Sequence, residues 1–236
     1  MINSNINSSS LPSHIGIIMD GNRRWAKKRL LPPQMGHKKG AEVFRERLRD
    51  LASIGVAHAT FYALSTENLN RERDEVSHLM RLFESQLDDL EAITNDDDVR
   101  LVFIGDLSVF PDDIRRKMEN AQHASRDNKG TVCRLAVNYG GKAEIVRAAR
   151  AMCQSSDTIS EQDFERELAK SLYTEDAPAV DLIIRTGGEK RLSNFLLWQA
   201  AYAELYFVDT LWCDFTKKEL LKALDEYAAR NRRLGK

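Results

Sequence analysis

The stretch HIGIIMDGNRRWA, from His14 to Ala26, is an apolar run of strand length that ends on a carboxylate, a glycine and two arginines. Such a run, closed by a turn signal and followed by helix-forming residues, reads as a strand–turn–helix unit. In an open parallel sheet, ligands bind beyond the carboxyl ends of the strands. Asp20 is therefore expected at the mouth of a site. Gly21 lets the backbone approach a ligand closely. The helix that follows offers free N–H groups to an anion. A carboxylate can hold magnesium, and arginines grip phosphate through paired hydrogen bonds. The combination suggests a metal–diphosphate site.

The same alternation continues along the chain. Strands are expected near 15–19, 59–64, 99–104, 131–137, 181–185 and 204–208. Phe44, Leu48, Leu51 and Ile54 mark one helical face, and Val76, Leu79, Met80, Phe83, Leu87 and Leu90 mark a longer one. Pro111 stands at a helix start, with Asp112 and Asp113 in its first turn. Ile145, Ala148, Ala149 and Met152 mark a helix after the Gly140-Gly141 turn. Ser160 with Asp163, and Thr216 with Glu219, have the spacing of helix N-terminal caps. Strands alternating with helices predict an α/β fold: a roughly six-stranded, mainly parallel sheet flanked by helices. No repeat, linker or shift in composition divides it. One domain over 14–236 is expected, after a flexible Ser- and Asn-rich tail over 1–13.

With 42% hydrophobic residues the chain can build a real core. Its net charge of -1 argues against a general nucleic-acid binder. Cys133, Cys153 and Cys213 have neither the spacing of a zinc site nor that of a disulfide framework, and are expected as buried thiols. No signal-like segment and no membrane-length apolar run occur. A cytoplasmic protein is expected, able to touch a membrane surface peripherally. The dinucleotide and P-loop glycine patterns are absent. Asp96-Asp97-Asp98 is an isolated run, read as a solvated loop.

The first block resembles the opening signature of the cis-prenyltransferases, the enzymes that make undecaprenyl diphosphate and related polyprenyl diphosphates. A second block, Asp181 to Glu189 (DLIIRTGGE) and Arg191 to Gln199 (RLSNFLLWQ), then Tyr202 to Phe207 (YAELYF), resembles their downstream signature. The resemblance runs from about residue 14 to the C-terminus. It implies condensation of isopentenyl diphosphate onto an allylic diphosphate such as farnesyl diphosphate, with magnesium, in a homodimer. It also implies an apolar tunnel for the growing chain, lined by the helix from Val76 to Leu90, with the strand at 131–137 as a floor.

Roles follow from the resemblance, position by position. Asp20 corresponds to the essential aspartate that coordinates magnesium. Gly21, Asn22, Arg23 and Arg24 resemble the cradle for the allylic diphosphate, and Trp25 an aromatic beside the substrate chain, although it also suits a core. His37, in Gly36-His37-Lys38-Lys39-Gly40, is expected to donate to a diphosphate oxygen. Ser65, Thr66, Glu67, Asn68 and Arg71 resemble a motif that places the second substrate. Asn68 matches a residue assigned the final proton abstraction, but an amide is a very poor base, and diphosphate oxygen relayed through Ser65 or Asn68 is the better acceptor. Arg185, Arg191 and Ser193 match the isopentenyl diphosphate site. Glu204 matches a carboxylate that supports the metal, often across the dimer interface. Asn138-Tyr139-Gly140-Gly141-Lys142 reads as scaffold beneath the site.

Four positions depart from the family pattern. Pro33 stands where an arginine is common, with Lys27, Lys28 or Arg29 as candidates to compensate. Leu64 and Leu69 replace aromatics, and Lys190 replaces a histidine. The departures leave room for a shorter polyprenyl product. A non-catalytic partner subunit is disfavoured by the presence of Asp20, Asn22, Arg24, His37 and Glu67. A phosphohydrolase is disfavoured by the lack of paired metal ligands or a nucleophile.

Overall fold

The computed structural model describes residues 11–68, 80–81, 83–87, 90, 94, 96–152 and 160–230. Six strands form one sheet: β1 (His14–Ile18), β2 (His58–Ser65), β3 (Arg100–Ile104), β4 (Val132–Tyr139), β5 (Leu182–Arg185) and β6 (Glu204–Phe207). Every pairing is parallel, in the order β3-β4-β2-β1-β5-β6. β1, β4 and β5 are buried on both faces almost throughout, as strands inside a parallel sheet are, whereas the edge strand β6 is largely part-exposed. Gly16 lacks a side chain because a Cβ there would lie 2.5 Å from Ile183 Cδ1.

Helices cover both faces. On one side lie α1 (Asn22–Lys28), α2 (Pro33–Ile54), α3 (Asp112–Ala124) and α6 (Lys217–Ala229). Phe44, Leu48, Leu51, Met118, Leu220 and Leu224 pack there with Ile17, Phe61 and Leu135 of the sheet. The other side carries α4 (Gly141–Met152), α5 (Glu161–Lys170) and the irregular segment around Phe195 and Leu196. The predicted caps are present: Ser160 accepts from the Asp163 amide, and Thr216 with Glu219 forms a complete capping box. Pro33 occupies the first turn of α2, where its missing N–H costs nothing.

Two local features aim the chain at the site. The β2–β4 register shifts between Tyr62 and Leu64 and again before Ser65, and such irregularities re-aim side chains at the end of a strand. Gly36 lets α1 and α2 close into a hairpin, since a Cβ there would lie 2.1 Å from the Asn22 carbonyl oxygen.

Of the expected tail, residues 1–10 lie outside the described residues. Leu11 packs against the core, and the Ser13 amide donates to Asp181. Leu69, Arg71, Val76, Leu79 and Cys153 also lie outside them. Cys133 and Cys213 are buried free thiols. Asp97 and Asp98 do more than face solvent: Asp97 pairs with Arg49, and Asp98 accepts from the Lys129 and Gly130 amides.

Candidate active site

A cavity of about 710 Å³ opens beyond the carboxyl ends of β1, β2 and β5. β1 delivers Asp20, β2 delivers Ser65 and Glu67, and β5 delivers Arg185. The turn after β1 works because Gly21 adopts φ 116° with Leu211 packed against it. Asp20 is fixed through its backbone: its carbonyl accepts from the Thr186 hydroxyl (2.7 Å) and from the Trp212 amide (3.0 Å). The buried Trp212 indole donates to the Gly40 carbonyl of α2, so one residue locks the turn to the helix.

The Asp20 carboxylate stands between two guanidinium groups. Oδ1 lies 2.9 Å from Arg24 Nη2, and Oδ2 lies 3.0 Å from Arg185 Nη2. Arg185, 5% exposed, also donates to Ser193 Oγ at 2.7 Å and to the Arg191 carbonyl at 2.5 Å. Its buried Nε has no hydrogen-bond partner among the described residues. Arg24 donates in addition to the Gly187 carbonyl, where a side chain would collide with it. His37 of α2 and Arg23 of α1 complete this side of the cavity.

On the β2 side, Glu67 accepts from Asn194 Nδ2 at 3.2 Å. Burial opposes ionisation of Glu67, but hydrogen bonds from its own amide, Asn194, Ser65 and Thr66 hold its carboxyl below the usual range. Tyr62 donates to the carbonyls of Tyr139 and Ser193 and stacks on Phe195. Burial, reinforced by the charge of Glu67, raises the Tyr62 phenol well above its ordinary value. Tyr62 therefore serves as a neutral donor. Asn194 is held in turn by the scaffold: its carbonyl accepts from Gly141 and its Oδ1 from Lys142. Ser193, Asn194 and Leu196 all adopt positive φ, an unusual run that the surrounding contacts enforce.

Most of the expected residues thus converge. Asp20, Gly21, Asn22, Arg23, Arg24, His37, Ser65, Glu67, Arg185 and Ser193 line the cavity. Thr66 supports Glu67 from behind, with its hydroxyl on the Glu67 carboxylate. Three expected residues stand apart. Trp25 donates to Asp214 and lies beneath Arg29, which itself pairs with Asp214. In this arrangement the Arg29 guanidinium is held by Asp214 and the Trp25 ring. The Arg191 side chain is 59% exposed and paired with Glu189; only its carbonyl reaches Arg185. Glu204 begins β6, at the far end of the sheet from Asp20, and pairs with Arg230 at 2.7 Å. Three residue steps, about 10 Å of strand, separate it from Phe207, which is level with Arg185. The side chain of Asn68 and all of Arg71 lie outside the described residues.

Tyr62, Asn194 and Trp212 are the residues that sequence reasoning missed. Asn194 lies within the second signature block; the other two carry no motif. A second, apolar cavity of about 140 Å³ adjoins the first, sharing Met19, Asn22, His37, Ala63 and Leu64. Phe44 of α2, the helical residues Phe83 and Leu90, and Leu135 of β4 enclose it.

Among the described residues no three His, Cys, Asp or Glu side chains gather as a metal cage. A lone carboxylate still suits magnesium, which commonly binds through one or two carboxylates, water and substrate phosphates. Asp20 fits that mode, provided a diphosphate displaces one of its arginines.

The comparisons with known proteins agree with this fold. The model of the family described as "Putative undecaprenyl diphosphate synthase" matches residues 18–235. The chain belongs to that family. The isoprenyl transferase of Treponema denticola is 45% identical over 94% of this chain and 96% of its own length. That of Fusobacterium nucleatum is 44% identical over 96% of each. Lavandulyl diphosphate synthase from Lavandula x intermedia, solved with dimethylallyl diphosphate, superposes with a TM-score of 0.90 at 36% identity, covering 97% of this chain and all of that one. A probable undecaprenyl diphosphate synthase from Campylobacter jejuni gives 0.79 at 32% identity, over 95% and 99%. Membership makes the chain a prenyltransferase.

Proposed function

We propose that the protein catalyses magnesium-dependent, sequential cis-condensation of isopentenyl diphosphate onto farnesyl diphosphate, giving undecaprenyl diphosphate as a cell-wall lipid carrier. The observation that supports this best is the Asp20 clamp between Arg24 and Arg185, at the junction of a polar cavity with an apolar one. Such a junction suits a molecule with a diphosphate at one end and hydrocarbon at the other.

In this reading the allylic diphosphate lies against Gly21, Asn22, Arg23 and Arg24, with His37 donating to it. Magnesium, held by Asp20 with phosphate oxygens and water, would neutralise charge on the departing diphosphate. Arg24 leaves Asp20 to grip that diphosphate as its C–O bond breaks and the electron pair departs with it. Arg185 and Ser193 hold isopentenyl diphosphate, whose double bond attacks the allylic carbon. Arg191 joins them by leaving Glu189. The proton lost from the carbon next to the new bond passes to a diphosphate oxygen, relayed through Ser65 or Asn68. Tyr62 is neutral, and Glu67 is too weak a base, so both act by positioning. The lengthening chain enters the apolar cavity, as a tunnel between α2, Phe83, Leu90 and Leu135.

The active form is a homodimer in this proposal. Glu204 is remote from Asp20 within one chain, so any role at the metal requires it to come from a second copy. It lies on the edge strand between Tyr202 (75% exposed) and Leu205 (38% exposed), a surface suited to a partner. No helix among the described residues is long and apolar enough to cross a membrane, and a cytoplasmic enzyme is proposed.

Incubation with labelled isopentenyl diphosphate and farnesyl diphosphate, with magnesium or with a chelator, tests the proposal by product length. A long cis-polyprenyl diphosphate formed only with magnesium is expected. A product arrested after one or a few condensations would replace undecaprenyl with a shorter chain. Absence of any condensation would overturn the assignment.

A further inference from the structure

We propose that the tip of the α1–α2 hairpin is a docking surface for anionic lipid, set beside the mouth of the active-site cavity. Seven lysines and arginines and no carboxylate stand between residues 23 and 39, in a chain whose net charge is -1. Lys27, Lys28 and Lys38 are exposed and make no ion pair among the described residues. Between them project Leu30 (95% exposed), Leu31 (37%) and Met35 (46%). Apolar tips ringed by cations are the composition that inserts into the headgroup layer of an anionic membrane. Water is a poor environment for such tips, and an acidic protein surface would meet the lysines but leave the leucines unburied.

The backbone holds the tip in place. α1 ends with the Leu31 amide on the Ala26 carbonyl and the Leu30 amide on the Lys27 carbonyl. This pair of bonds puts Leu30 in the left-handed conformation, at φ 55°, where glycine is the usual residue. A bulky leucine is thus kept at a strained position and fully in solvent, a double cost that packing within the chain does not explain. Arg23, Arg24 and His37 of the same hairpin line the cavity. A bound membrane would therefore lie where an amphiphilic product, anchored by its diphosphate, leaves. The choice of lipid rests on the proposed function, but lipid binding is measured without turnover, so either can fail alone.

The test is co-sedimentation of the full chain with vesicles of phosphatidylcholine alone and of phosphatidylcholine mixed with phosphatidylglycerol, at low and high salt. Binding to the anionic vesicles, weakened by salt, is expected. Lys27→Glu with Lys28→Glu should reduce partitioning roughly tenfold or more, and Leu30→Ser with Leu31→Ser by about tenfold. Leu30→Gly discriminates further. It relieves the backbone, so the thermal midpoint should hold or rise while vesicle binding falls. No binding to anionic vesicles, equal binding to neutral ones, or binding untouched by all three variants would each overturn the proposal.

Discussion

Asp20 divides its two carboxylate oxygens between Arg24 and Arg185, so each cation that would grip a diphosphate is already poised around the anion that would hold its metal. Asp20→Asn keeps the shape and removes the charge. Turnover should fall by about two orders of magnitude or more, as when a group used chiefly in the transition state is lost. A near-normal kcat would refute the assignment. The same clamp separates two arginines that look equivalent in sequence. Arg185→Ala removes a buried side chain bonded to Asp20, Ser193 and the Arg191 carbonyl, and should lower stability by about 3 kcal/mol. Arg191→Ala breaks only an exposed pair with Glu189, worth about 0–1 kcal/mol. Thermal melts should therefore separate the two variants. Both should raise the KM for isopentenyl diphosphate, Arg191 by swinging inward. Motifs made Asp20, Arg185 and Ser193 legible, because short ordered blocks encode them. Tyr62 and Asn194 were not, because their roles arise from partners more than a hundred residues away.

Among elements, the strands were the most legible, since each is an apolar run bounded by turn residues. Helix starts were readable where a cap or proline marks them, as at Pro111, Ser160 and Thr216. The shift in β2 before Ser65 and the closeness of α1 to α2 were not, because both depend on a neighbouring element. Gly36 shows why. A methyl group there would meet backbone at 2.1 Å, and no side chain can yield to relieve it. Gly36→Ala should destabilise the fold by about 1–3 kcal/mol, read from the urea midpoint. It should also raise the KM for the allylic diphosphate, because Asn22 and the cradle move with α1. Thr216→Ala, which removes one cap at a residue that lines neither cavity, should cost about 1 kcal/mol and leave both KM values unchanged. Equal kinetic effects from the two variants would mean that the hairpin does not position the cradle.

The whole molecule places its chemistry at one end of the sheet and a buried polar clamp at the other. His14 begins β1, His58 begins β2, and Arg134, fully buried, lies near the start of β4. The Pro178 carbonyl can only accept, so His14 Nδ1 donates to it and Nε2 accepts from the Thr60 hydroxyl. Arg134 donates to His58 Nδ1 at 2.9 Å and to Asp176 at 2.6 Å, tying the segment before β5 to the sheet. A histidine supporting β1 was foreseeable; its coupling to Arg134 was not, since one arginine within a strand looks like any other. Both imidazoles must stay neutral. Burial, with the charge of Arg134 assisting, drives His14 down to about 4 against the hydrogen bond to Pro178, and burial then Arg134 lower His58 as well. Unfolded imidazoles take up a proton near 6.5, so between that pH and about 4 the unfolded chain binds more protons than the folded one. Stability is therefore complete above about pH 6.5 and is lost as pH falls toward 4, by on the order of 3 kcal/mol from His14 alone. Urea midpoints should decline steadily across that window. His14→Gln keeps a donor for Pro178 but cannot take up a proton. It should flatten the decline while costing some stability at pH 7. An unchanged slope in that variant would place the acid sensitivity elsewhere in the molecule.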